Sequence, residues 1–202
     1  MLVSTDTWGR IPYTEALLGN ENRKPAYDTQ ESIYNAMFDM LDEAIDDLQK
    51  ESFAYPGTED LIFEGDLDRW IKTAYSLKAR YCNRLSKRDA TGSAADALAA
   101  AANGFESLED DFSFVNWADD PGHENTWYQE ENERKHHAIS ATFYDILESM
   151  NDPRIPLFCT MINDQYVPAP NGTALQDQAG QVYSRISNQV IYATAPLPIM
   201  TY

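Results

Sequence analysis

Apolar residues return at helical spacing from Leu67 onward, at Leu67, Trp70, Ile71, Ala74, Leu77, Tyr81 and Leu85, with Arg69, Lys72, Lys78, Arg80, Arg84 and Lys87 mostly between them. A stripe of this kind gives a helix one face for a core and one for water. Asp66 is placed to cap the helix by accepting a free backbone N–H of the first turn, and Asp68 adds negative charge where the helix dipole favours it. The segment Asp89–Ser93, which contains Gly92, is expected to stop the run. The pattern resumes with Ala94, Ala97, Leu98, Ala101, Ala102, Phe105 and Leu108, a second helix whose small residues allow close approach of a neighbour. Asp66–Leu108 therefore predicts a helical hairpin.

A second periodic stretch places Ile33, Met37, Leu41, Ala44, Ile45 and Leu48 on one face, and predicts a helix over about Thr29–Lys50. Asp28 followed by Glu31 resembles a capping box at its start. Upstream, Met1–Lys24 shows little periodicity, with a short helix expected at Thr14–Leu18 and Trp8 and Tyr13 expected to pack. Ser52–Gly65 reads as a connector in which Phe53, Tyr55 and Phe63 close over the helix pair. Asp60, Glu64, Asp66 and Asp68 lack the order of a calcium loop, which leaves a helix cap with spare surface acids. The stretch Asp110–His137 is the least regular and most aromatic. A further helix is expected from about His136 to Met150, buried through Ile139, Phe143, Ile146, Leu147 and Met150 and ended by Asn151, Asp152 and Pro153. Beyond Arg154 the pattern breaks into short apolar pieces, with strand pairing expected at Leu157–Met161 and Val190–Ala193. The run Ile191–Tyr202 ends without a turn or polar tail, as in a fragment of something longer.

At 202 residues, 43% of them hydrophobic and 12% aromatic, the chain can bury a substantial core, and one domain over 1–202 is the expectation. Fifteen Lys and Arg against 33 Asp and Glu give a formal charge of −18, which repels phosphate backbones and excludes a sequence-independent nucleic-acid binder. No apolar run reaches the length of a membrane span, and Met1–Gly9 lacks the regions of a signal peptide. Cys82 and Cys159 allow one bridge, with two separate buried thiols the expectation.

The irregular aromatic stretch holds the candidate chemistry. Sugar rings present C–H faces that stack on indole and phenol planes, while neighbouring amides and carboxylates hydrogen-bond the hydroxyls. Trp117, Trp127 and Tyr128, with Asn116 beside them, have that character; the alternative is that these aromatics anchor a long loop to the helices. Trp70, in a helical row, reads as core. Glu133 and His136 have the E-x-x-H spacing of di-iron bundles, with His137 next to them, but the second copy that chemistry needs is missing, so no metal or cofactor is expected. No nucleophile motif or phosphate-cradling loop is found.

Several stretches resemble the SusD/RagB family of nutrient-binding outer-membrane lipoproteins, above all its SusD-like branch. DTWGRIPYTEAL, Asp6–Leu17, is similar to that branch's G-x-[IV]-P-Y-[ST]-E-A segment. PAYDTQESIYNAMFDMLDEAIDDL, GDLDRWIKTAYSLKARYCNRLSK, ESMNDPRIPLF and SNQVIYATAPLPIMTY follow in the family's order. The resemblance implies an all-α fold of degenerate tetratricopeptide-like helix pairs with long irregular loops. It implies a non-catalytic surface lipoprotein, anchored to the outer membrane by a lipid outside this chain, that captures oligosaccharide or another polymeric nutrient and delivers it to a SusC-type TonB-dependent transporter. A helical protein-interaction scaffold without a small ligand is the alternative.

Overall fold

The periodic stretches fold as helices, and the differences lie at their ends and in which of the expected apolar residues, Leu98, Phe143 and Ile146 among them, stay exposed. The computed structural model describes residues 1–52, 54, 56–134, 137–172 and 182–201. The chain forms two compact units, Met1–Phe112 with the chain from Met200, and Ser113–Ile199.

In the first unit, α1 (Leu2–Trp8) packs on α2 (Gln30–Leu48), which packs in turn on α3 (Leu67–Arg84). Ile33, Tyr34 and Met37 form the centre, with Leu2, Ile11, Tyr13, Phe38, Tyr81 and Leu85 against them. Tyr13 packs as expected, whereas Trp8 is 72% exposed at the end of α1, where Gly9 at φ 74° halts the helix. The segment after Tyr13 is turned rather than helical.

The caps differ instructively from expectation. Thr29, not Asp28, caps α2 by accepting from Ser32 N at 3.1 Å. Asp28 is engaged elsewhere: its carboxylate accepts from Tyr13 N at 2.8 Å, Thr14 N at 2.9 Å and the Thr14 hydroxyl at 2.9 Å, stapling the opening segment to the start of α2. The Thr14 amide, ahead of the Thr14 hydroxyl and Tyr13 amide, holds this carboxyl below its usual range against the opposing pull of desolvation.

Asp66 caps α3 as expected, accepting from Arg69 N at 3.2 Å. The return helix α4 (Ala90–Ala101) starts earlier than the pattern implies. Asp89 caps it by accepting from Gly92 N at 3.0 Å, and a Cβ at Gly92 would collide with that carboxylate. Gly92 is thus part of the cap rather than a break. Phe105 is buried beyond the helix, with its backbone N–H donated to Ser76 Oγ at 3.0 Å.

Before α3, Asp60 is the hub of the connector rather than a spare surface acid. Its carboxylate accepts from Trp70 Nε1 at 2.7 Å and from the amides of Ile62 at 3.0 Å, Gly65 at 3.1 Å and Phe63 at 3.3 Å. Phe63, Trp70 and Phe112 then meet as an aromatic trio with centroids 5.2–6.0 Å apart, and Trp70 serves the core as expected. The expected closure by Phe53 and Tyr55 lies outside the described residues.

The second unit has shorter elements: α5 (Thr126–Arg134), α6 (Ala141–Ser149) and α7 (Ile155–Phe158). A two-stranded ladder pairs β1 (Phe112–Phe114) with β2 (Leu197–Met200), so neither expected strand forms. Pro156 sits in the first turn of α7, where its fixed φ and missing N–H suit a helix start. Ser140 caps α6 by accepting from Phe143 N at 3.1 Å, later than the expected start near His136, which lies outside the described residues. Of the expected buried row, Ile139 and Leu147 are buried, while Phe143, Ile146 and Met150 are exposed. Cys82 and Cys159 are free and buried, one in each unit. The fold is all-α, with helix pairs carrying the first unit and irregular segments dominating the second.

Candidate functional site

The aromatic stretch is not all loop. Asn125 is 2% exposed, and its side-chain oxygen accepts from Trp127 N at 2.8 Å and Tyr128 N at 3.2 Å, which starts α5. Its side-chain amide donates to Ala195 O at 2.9 Å and its backbone N–H to Ala193 O at 2.7 Å. One buried side chain therefore fixes both the helix start and its attachment to a distant segment.

Trp127 leaves the first turn of α5 with 51% of its surface exposed, its ring set edge-to-face against the His137 ring at 6.0 Å and 62°. Tyr128 is half-buried beside it. Asn116 is exposed; Trp117 is half-buried, its ring 4.6 Å from that of Phe114, and its indole nitrogen has no hydrogen-bond partner among the described residues. Ring contacts thus tie Trp117 to Phe114 and Trp127 to His137, and bring no contact between the two indoles. Trp127 offers an open platform; Trp117 is held largely by packing.

The inner face of α5 carries Glu131, 8% exposed. One of its oxygens accepts from Arg185 Nε at 2.6 Å, and the other lies 3.2 Å from His137 Nδ1. Arg185 Nη2 pairs with the same Glu131 oxygen that Nε reaches, and finds no hydrogen-bond partner of good geometry among the described residues. Beside this pair opens a recess of about 540 Å³ whose lining includes Asn132, Thr160, Ser187, Asn188 and Gln189. Sequence spacing gave no hint of this cluster, because Arg185 is separated from Glu131 by 54 positions in sequence.

Glu133 takes part in a helix-surface contact with Gln129 at 3.4 Å. Among the described residues no group of three or more His, Cys, Asp and Glu side chains could hold a metal ion, and no helix is long and apolar enough to cross a membrane.

Helix pairs bearing an aromatic-rich, irregular second unit define an all-α scaffold of the tetratricopeptide-like kind. The family model described as "Starch-binding associating with outer membrane" matches residues 1–202, and the chain belongs to the SusD-like family. A SusD/RagB family protein from Bacteroides thetaiotaomicron is 32% identical with a TM-score of 0.83, over 98% of this chain and 43% of that one. A SusD homologue from Bacteroides vulgatus is 29% identical with a TM-score of 0.76, over 100% of this chain and 42% of that one. A chitin-binding SusD homologue from Flavobacterium johnsoniae, 24% identical with a TM-score of 0.78 over 100% of this chain and 42% of that one, shares the fold. The chain thus spans less than half the length of these solved relatives. No curated protein matches it.

Proposed function

We propose that the chain is part of a non-catalytic surface protein that binds glycan and passes it to a SusC-type TonB-dependent transporter, held at the outer membrane by a lipid anchor. Membership of a family described as starch-binding and outer-membrane-associated supports the setting. The observation that carries the binding role is the Trp127 indole, half exposed on a helix whose start is fixed by the buried Asn125. An aromatic plane held still loses little entropy when a sugar ring stacks on it. Tyr128 follows on the same turn, and Asn116 and Trp117 add an amide and a second indole on the preceding segment. The chitin-binding relative makes chitin oligomers a suitable first ligand alongside starch oligomers.

Stacking one sugar face on the indole removes on the order of 60 Å² from water, worth about 1.5 kcal/mol at ~25 cal/mol per Å². Trp127→Ala is therefore expected to weaken oligosaccharide binding about tenfold, with Trp117→Ala and Tyr128→Ala also weakening it. Calorimetric titration with chitotriose and maltotriose measures this. Equal affinity in wild type and Trp127→Ala would remove the indole from the site, and absence of binding to any glycan would favour a protein-interaction scaffold.

A further inference from the structure

The recess beside Glu131 and Arg185 is lined mostly by residues with polar side chains. Asn132, Asn188 and Gln189 supply amides, each with a donor and an acceptor, and Thr160 and Ser187 supply hydroxyls. At about 540 Å³ it falls within the roughly 300–1,000 Å³ typical of small-molecule sites. Arg185 is held from one side by Glu131, with side-chain exposures of 13% and 9%. Its Nη2 is itself buried against Glu131, so the pair forms part of the wall without offering that nitrogen to the recess.

A charge argument separates the ligand classes. The carboxylate on Arg185 already neutralises the guanidinium, and none of the remaining lining side chains is charged. An anion entering here would meet Glu131 as well as Arg185 and would gain little net attraction. A neutral group that both donates and accepts, such as the hydroxyls of a hexose or the acetamido group of an amino sugar, matches the amides and hydroxyls.

We propose that this recess is a second polar subsite, taking one uncharged sugar residue, with Asn132 and Asn188 as its hydrogen-bonding groups. It rests on the glycan-binding reading but not on the tryptophan platform. Trp127 and Glu131 lie four residues apart on α5, and His137 touches both, its ring against the indole and its Nδ1 against the carboxylate. The platform and one wall of the recess are therefore carried by the same short helix.

The test is a titration of the protein with maltotriose, chitotriose and the anionic trimer trigalacturonate, following the ¹⁵N signals of the Asn132 and Asn188 side-chain amides and the Arg185 Nε–H. Asn132→Ala and Asn188→Ala are both exposed on the surface and leave the Glu131–Arg185 pair in place. Each is expected to weaken binding of a neutral trimer about five- to tenfold, with the three named signals shifting in wild type and the anionic trimer binding no better. Loss of binding in Trp127→Ala together with unchanged affinity in Asn132→Ala and Asn188→Ala would overturn the subsite and leave the platform standing. Weakening by the recess variants alone would uphold the subsite and remove the platform. Tighter binding of trigalacturonate would overturn the assignment to a neutral ligand, and no binding of any trimer would overturn both.

Discussion

Replacing Asp60 by alanine removes one carboxylate and leaves four donors without their acceptor: the Trp70 indole N–H and the amides of Ile62, Phe63 and Gly65. A hydrogen bond to a charged group contributes about 1.5–3 kcal/mol, but the connector is partly open and water can reach some of the amides. The indole N–H, pinned among Phe63 and Phe112, is the donor water replaces least well. A net loss of about 3 kcal/mol follows, which for a chain of this size lowers the melting temperature by about 6–12 °C. Asp60→Asn keeps one acceptor oxygen but turns an NH₂ toward the donors, and is expected to lose roughly half as much. The effect also has a pH signature. Burial pushes the Asp60 carboxyl up, but the Trp70 indole and the amides of Ile62, Gly65 and Phe63 outweigh it and hold the carboxyl below its usual range. A depressed carboxyl stabilises fully above its unfolded value, near ~3.9, and the contribution is lost as pH falls through the lower folded value. The gap in melting temperature between wild type and Asp60→Ala should therefore be constant from neutral pH to about 5 and narrow below about 4. A melting temperature within about 1 °C of wild type, or a gap unchanged well below pH 3, would refute the hub.

Three further outcomes can be measured directly. Gly65 stands at φ 84° with Gly57 N only 3.0 Å from where a Cβ would lie, so Gly65→Ala should cost on the order of 1–2 kcal/mol in denaturant titration; a neutral substitution would mean the turn rearranges freely. Glu131→Ala strands the Arg185 guanidinium and should cost about 3–5 kcal/mol, whereas Glu133→Ala, exposed on the same helix, should stay within about 0.5 kcal/mol; equal costs would show the buried pair to be idle. Burial raises both the Cys82 and Cys159 thiols above their ordinary range, so a disulfide reagent at pH 8 should label neither quickly until denaturant is added; rapid labelling of the native protein would contradict the packing around them.

Legibility along the chain followed how each segment is held. The helices around Ile33–Met37 and Trp70–Tyr81 were readable because each buries an apolar stripe, and a stripe is a local property of sequence. Their ends were less so, since Thr29 and Asp28, or Asp89 and Ser93, offer similar side chains within a few positions, and long-range bonds such as Asp28 to Tyr13 decide which of them caps. Helix α5 left no periodic trace: its sequence TWYQEENER is polar and its buried residue is a glutamate. The candidate site residues followed the same rule. Trp127 was identifiable as an aromatic among amides, whereas Arg185 and Asn188 acquire meaning only when the chain brings them beside Glu131.

Asn125 makes the orientation of Trp127 depend on residues encoded near the opposite end of the second unit. With its amide seated on Ala195 and its backbone on Ala193, any shortening of the chain before that point would leave the helix sequence untouched yet release its first turn. Such a truncated protein would keep every tryptophan and lose the rigidity of one of them, so its fluorescence anisotropy, rather than its helical content, would register the damage.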